Sequence, residues 1–200
     1  MALGSVNSSY SGARWQQAPT QLSDAETARM AALFEERLNL PYSLCWHLAS
    51  LGLNDETIAD FLDPKLRTSL PDPYVMKDAE HAVSLITDII KKKQPIGLFG
   101  DYDVDGACSA ALFRLVLGAF GVPVWCHIPD RFKEGYGPNL EALKALKAQG
   151  AELILTVDCG ITAHAPLAAA AEEGMSVIVI DHHKAGVVLP KAEAVVNPNR

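Results

Sequence analysis

Apolar residues recur along this chain with two different periods. Between Ser23 and about Lys93 they return every three or four residues, the spacing of one helix face. From Ile96 onward they come in short unbroken runs separated by helical stretches. In the first region Ser23-Asp24-Ala25-Glu26 has the form of a capping box, in which the Ser and Glu side chains satisfy each other's free backbone amides. It predicts a helix to about Asn39, with Leu33, Phe34 and Leu38 on the apolar stripe. A second helix is predicted over residues 42–51, ending at Gly52. A third starts at Asn54 or Asp55 and stops before Pro64. Prolines at 64, 71 and 73 make residues 63–74 a linker. The last helix of this region runs from about Lys77 to Lys93, and its closing Lys91-Lys92-Lys93 suits the negative end of the helix dipole.

The later runs, at residues 96–100, 122–128, 153–157 and 177–180 with a weaker one at 194–196, do not alternate with polar residues. Such runs predict strands buried on both faces, and the helices near 107–120, 139–149 and 163–173 predict crossovers between parallel strands. The expected fold class is α/β: a doubly wound, mostly parallel sheet with flanking helices, preceded by a small helical N-terminal region. Three segments follow. Residues 1–22, rich in Ser, Gly and Gln, are expected to form a mobile tail, 23–74 the helical region with its linker, and 75–200 the α/β domain.

Composition narrows the class. With 200 residues, 49% of them hydrophobic, the chain can bury one sizeable core, or one core and a small appendage. No apolar run approaches the roughly 18 residues of a membrane span. The start lacks the basic-then-apolar order of a secretory signal. Cys45, Cys108, Cys126 and Cys159 form no CxxC pair, which argues against a zinc ribbon. Three of them lie in apolar or strand-like contexts, as buried free thiols do, and a reducing cytoplasm is the expected location. The net charge of −7 argues mildly against nonspecific nucleic-acid binding, which leans on Lys and Arg. The objection weakens where bound metals are themselves the local positive charge.

In an open parallel sheet, ligands bind at the carboxyl ends of the strands. After the first predicted strand comes Asp101-Tyr102-Asp103-Val104-Asp105-Gly106, after the third Asp158-Cys159-Gly160, and after the fourth Asp181-His182-His183. Two carboxylates ~4 Å apart repel by about 4 kcal/mol at an effective dielectric near 20, so such a cluster calls for a cation. Oxygen ligands with one or two imidazoles suit Mn²⁺ or Mg²⁺ better than a structural zinc. If the turn stays extended, Asp103 and Asp105 project the same way, one to each of two metals, and Asp158 bridges them. Each residue also has a bland reading: Asp105 as a helix N-cap, Asp158 as a cap of the turn at Thr162. His182 and His183 are expected to point apart as they leave the strand, which argues against a core pair. His47, His81, His127 and His164 read as structural or solvated. The segment 129–137 follows the second strand at the same edge and offers Arg131 to hold a phosphate, with Tyr136 or Phe132 to stack a base. Its bland alternative is a solvated loop with Phe132 in the core and Arg131 paired to Asp130 or Glu134.

In order and spacing, Gly100 to Gly106, Val157-Asp158-Cys159-Gly160 and Asp181-His182-His183 resemble the first three motifs of the DHH phosphoesterase superfamily. Residues 129–137 and Val196-Asn197-Pro198-Asn199 narrow the resemblance to the RecJ single-strand-specific exonucleases. The resemblance implies a cytoplasmic, Mn²⁺- or Mg²⁺-dependent nuclease that degrades single-stranded DNA from its 5′ end in recombination and repair. Asp103, Asp105, Asp158 and His182 match metal ligands, with two ions in the complete enzyme. Asp101 matches an aspartate that ligates or orients, Asp181 a ligand or its support, and His183 the histidine facing the scissile phosphate. The family's fourth motif, its DHH-associated domain and its oligonucleotide-binding domain do not appear before Arg200. The chain is therefore expected to be an N-terminal fragment, holding at most one ion and silent alone. Two rivals stand beside this reading: a DHH phosphoesterase of short oligonucleotides or other small phosphate substrates, and a non-catalytic DHH-like scaffold. A phosphoreceiver domain also clusters aspartates but has no use for the His182-His183 pair.

Overall fold

A computed structural model describes residues 9–14 and 22–200. The chain divides at Pro71/Asp72 into two compact units, each with its own core. The mobile tail expected over residues 1–22 lies largely outside the described residues.

In the first unit, Ser23 caps α1 (Asp24–Leu38) through the reciprocal Ser23–Glu26 box, and Asn39 closes the helix in the left-handed conformation. Phe34 and Ala31 of α1 pack against Cys45, Leu48 and Ala49 of α2 (Tyr42–Ser50). The third helix is shorter than its sequence suggested. The Asn54 side chain accepts hydrogen bonds from the amides of Glu56 and Thr57, which makes a turn first. Helix α3 (Ile58–Leu62) begins only after it. The predicted linker is not wholly irregular: α4 (Leu66–Ser69) lies within it, and a 3-10 turn (Pro73–Val75) opens the second unit.

The second unit is a five-stranded, all-parallel sheet in the order β2-β1-β3-β4-β5, built from β1 (Ile96–Gly100), β2 (Val124–His127), β3 (Leu153–Val157), β4 (Val177–Ile180) and β5 (Ala194–Val196). Alternate residues of each strand serve opposite faces. Ile96, Leu98, Leu155 and Ile178 pack with Ala82 of α5 (Ala79–Lys92) and Leu117 of α6 (Val104–Ala119). Phe99, Ile154, Val177 and Val179 pack with Leu143 and Leu146 of α7 (Leu140–Ala148) and Leu167 of α8 (His164–Glu172). The sheet is thus doubly wound, and β1 and β3 are fully buried along their length.

Two expectations yield to edge position and capping. Strand β2 lies at one edge of the sheet, shorter than its apolar run and partly exposed, with Cys126 open to solvent. Cys108 is exposed as well, so only Cys45 and Cys159 are buried thiols. Helix α6 starts earlier than expected because Asp103, not Asp105, is its N-cap: Asp103 Oδ1 accepts from the amides of Asp105 and Gly106 at 3.0 and 3.1 Å. Gly106 is required here. A Cβ at that position would stand 2.4 Å from the Asp101 carbonyl oxygen, so only glycine lets α6 begin so close to β1.

Candidate metal centre

The strand order reverses direction of growth between β1 and β3, and in doubly wound sheets the crevice beyond the strand ends opens at that point. Asp101 and Asp103 leave β1 there, Asp158 leaves β3 beside them, and Asp181-His182-His183 leaves β4 next door. Two triads of side chains result, each with ligand atoms within 4.8 Å of one another: Asp101, Asp103 and Asp158, and Asp158, His182 and His183. Asp158 belongs to both. Its backbone is left-handed, φ 60°, which swings the carboxylate across the strand ends.

The electrostatics are those of a cation site. Asp101 Oδ1 and Asp158 Oδ2 are buried and have no hydrogen-bond partner among the described residues. Burial, and then the neighbouring Asp103 carboxylate, push the Asp158 carboxyl up to about 6. Asp103 is held below the usual carboxylate range by the amide of Gly106, against the opposing effect of desolvation. His182 Nε2 lies 3.0 Å from Asp158 Oδ1. Hard carboxylate oxygens with one or two imidazoles, and two oxygens short of a partner, fit Mn²⁺ or Mg²⁺.

Asp181 is the organiser of this edge. Its Oδ2 accepts from the amide of Ile161 at 2.9 Å, the turn role considered for Asp158 in the sequence. Its Oδ1 accepts from the amides of His182 and His183 and bonds His183 Nδ1 at 2.7 Å. Burial opposes the charged form of Asp181, yet these bonds from His183 and Ile161 outweigh it and hold its pKa below the usual range. The same turn corrects an expectation. The two imidazoles do not point apart; their ring centroids are 4.7 Å apart. The Asp181 bond in turn raises the pKa of His183.

Asp105 is in the first turn of α6 and belongs to neither triad, since capping ends the extended geometry that would have aligned it with Asp103. It does line the adjoining cleft of about 370 Å³ together with Asp158, Asp181 and His182. Cys108 and Ser109, to which no sequence motif points, line it too. Asn197 and Asn199 carry no role in the sequence beyond membership of a motif. Their side-chain amides donate to the carbonyls of His183 and His182 and so fix the backbone of the tripeptide.

The loop after β2 departs from the solvated-loop alternative weighed for it. Glu134 accepts from the Asp130 amide, from Asn139 Nδ2, and bonds His127 Nε2 at 2.8 Å. His127 is thereby a structural residue, stacked also on Phe99. Lys133 takes Asp130. Among the described residues no carboxylate pairs with Arg131, whose guanidinium lies over the Tyr102 ring at 5.4 Å. Phe132 is 97% exposed rather than in the core. Tyr136 turns its hydroxyl to His183, 3.2 Å from Nδ1. Burial, then the surrounding carboxylates and thiol, raise the pKa of its phenol.

A parallel doubly wound sheet that gathers carboxylates and imidazoles from three strand ends defines an α/β domain with a metal-ligating crevice at its switch point. The model of the DHH family, N-terminal domain, matches residues 95–200, and the chain belongs to this family. It is similar to the single-stranded-DNA-specific exonuclease RecJ of Bacillus subtilis (strain 168), 42% identical over 129 residues, or 64% of this chain and 16% of the relative. With the RecJ of Escherichia coli (strain K12) it shares 41% over 125 residues, 62% of this chain and 22% of the relative. Among solved structures, exonuclease RecJ bound to manganese superposes with a TM-score of 0.57 at 39% identity, over 64% of this chain and 32% of that one. RecJ in complex with Mn²⁺ from Thermus thermophilus gives a TM-score of 0.61 at 30% identity, over 85% and 23%. The chain spans between 16% and 24% of the length of the curated relatives it matches.

Proposed function

We propose that this chain carries the metal-holding domain of a single-stranded-DNA exonuclease that hydrolyses phosphodiester bonds from the 5′ end and serves recombination and repair. The observation that carries the reading is the pair of triads sharing Asp158, because two ions held by them would act together on one phosphate. Asp101, Asp103 and Asp158 would hold one Mn²⁺ or Mg²⁺, and Asp158 with His182 the other, with Asp105 reaching in from the cleft. When bound, the ions supply Lewis-acid activation of water and of the phosphate. The remaining work falls to side chains. Asp181 orients the His183 imidazole and fixes the His182 backbone, while Asp158 engages the His182 ring. His183, with Nδ1 engaged by Asp181, faces the scissile phosphate. Arg131, free of any carboxylate among the described residues, is placed to receive a phosphate oxygen bidentately. The RecJ relatives favour long single strands over the small-molecule alternative, and the intact triads argue against a non-catalytic scaffold. The activity is proposed for the complete protein to which this sequence belongs.

The test presents that protein, in Mn²⁺, with 5′-labelled single-stranded DNA and with di- and trinucleotides. Long strands are expected to be degraded, and Asp103→Ala to remove at least about nine-tenths of the rate, since a lost metal ligand costs several kcal/mol of transition-state stabilisation. Undiminished cleavage by Asp103→Ala, or action on short substrates alone, would overturn the reading.

A further inference from the structure

The sequence offered Tyr136 as a residue to contact DNA, but its hydroxyl is already committed. It lies 3.2 Å from Nδ1 and 3.4 Å from Nε2 of His183, a residue 47 positions away in the chain. The two rings meet edge to face, centroids 5.8 Å apart and planes at 75°. Asp181 Oδ1 stands 2.7 Å from Nδ1. An ionised carboxylate only accepts hydrogen bonds, so in the neutral ring Nδ1 carries the proton and donates to Asp181. Nε2 is then an acceptor, and the Tyr136 hydroxyl is the donor within reach of it.

We propose that Tyr136 is a positioning residue for His183: its hydroxyl and ring edge, together with Asp181, hold the imidazole in one tautomer and one orientation, with Nε2 as its acceptor atom on the side the substrate approaches. The division of labour is chemical. Asp181 selects the tautomer, because only a protonated Nδ1 satisfies it. Tyr136 restricts rotation, because an exposed ring held at one nitrogen alone still swings about that bond. The loop that delivers Tyr136 is itself anchored by Glu134 to His127 and Asn139, so the constraint comes from an ordered segment. The role in substrate presentation rests on the exonuclease reading; the constraint on the ring does not.

The experiment reads the ring directly. The full chain, labelled with ¹⁵N-histidine, is compared with Tyr136→Phe and Tyr136→Leu by long-range ¹H–¹⁵N spectra, metal-free and with Mg²⁺. In the parent, His183 is expected to show a single neutral tautomer protonated at Nδ1, with Nε2 shifted as a hydrogen-bond acceptor. Tyr136→Phe is expected to keep the tautomer and lose the Nε2 shift, and Tyr136→Leu to broaden the ring signals as rotamers mix. His183 shifts identical in the parent and Tyr136→Phe would overturn the proposal. In the complete enzyme, Tyr136→Phe is expected to lower kcat about tenfold or more with KM for single-stranded DNA unchanged, as for a misplaced catalytic group. A raised KM with unchanged kcat would instead make Tyr136 a strand-contacting residue and overturn it as well. Failure of Mg²⁺ or Mn²⁺ to bind the parent chain would remove the metal-centre reading while leaving the spectroscopic result standing.

Discussion

Asp158 combines three features that are each unfavourable alone. Its backbone is left-handed, its side chain is buried with Oδ2 unpartnered, and its charge stands beside Asp103. Left-handed φ at a residue other than glycine is tolerated best by Asp and Asn, so the strain limits which residues fit but does not explain the acid. On the proposed reading a cation would engage the orphan oxygen and cancel the repulsion. The substitution that separates these contributions is Asp158→Asn, which keeps shape and backbone tolerance and removes the charge. The metal-free variant is expected to be at least as stable as the parent, because a carboxyl pushed up to about 6 opposes folding wherever it must ionise. Mn²⁺ affinity is expected to fall by at least about tenfold, through loss of the one anionic ligand common to both triads. Denaturant melts and calorimetric titration on the same samples check both halves, and unaltered Mn²⁺ affinity would take Asp158 out of the centre.

Among the elements, those that bury both faces were the legible ones. Strands β1, β3 and β4 coincide with apolar runs because helices cover both faces of the sheet there, and Thr156 is the one hydroxyl they carry. Strand β2 is shorter than its apolar run, because the run also serves the turn at the buried Val122. The strand-end acids were legible by type and position, while their division of labour was not. Asp103 as cap, Asp181 as acceptor for three amides, and the convergence of His182 with His183 all depend on hydrogen bonds made after the turns form. The loop after β2 was the least legible element, because its shape comes from Glu134 reaching partners in β2 and at the cap of α7. A hydrogen bond to a charged group contributes about 1.5–3 kcal/mol, so losing several releases a loop even where the fold survives. Glu134→Ala is therefore expected to speed amide exchange across residues 129–137 by at least about tenfold, while amides of β1 and β3 keep their protection. Unchanged exchange in that loop would show that it is ordered by something other than the Glu134 anchor.

At the scale of the molecule the governing fact is charge. The sequence carries −7 net, and the second unit gathers carboxylates at the very edge where a polyanion is proposed to lie. Without cations that edge repels single-stranded DNA; with them it is the part of the surface most able to hold a phosphate. Among the described residues, no helix is long and apolar enough to cross a membrane, and no lysine-rich groove lines the cleft beside the centre. Affinity for a strand should then come from the metals and a few directed contacts, Arg131 foremost, rather than from many phosphate–Lys pairs. Counterion release makes this measurable. For single strands the slope of log K against log salt is about −0.7 for each phosphate neutralised by a protein cation, so one or two such contacts predict a slope no steeper than about −1.5. Binding of a fluorescent oligothymidylate, followed by anisotropy with a catalytically silenced His183→Ala background to preserve the strand, is expected to appear in Mn²⁺ and vanish in chelator. Arg131→Ala is expected to flatten the slope by about 0.7 while leaving the Mn²⁺ requirement intact. A steep salt dependence that persists in chelator would mean that a basic surface, not the metal centre, holds the strand, and the electrostatic logic drawn from this acidic edge would fail.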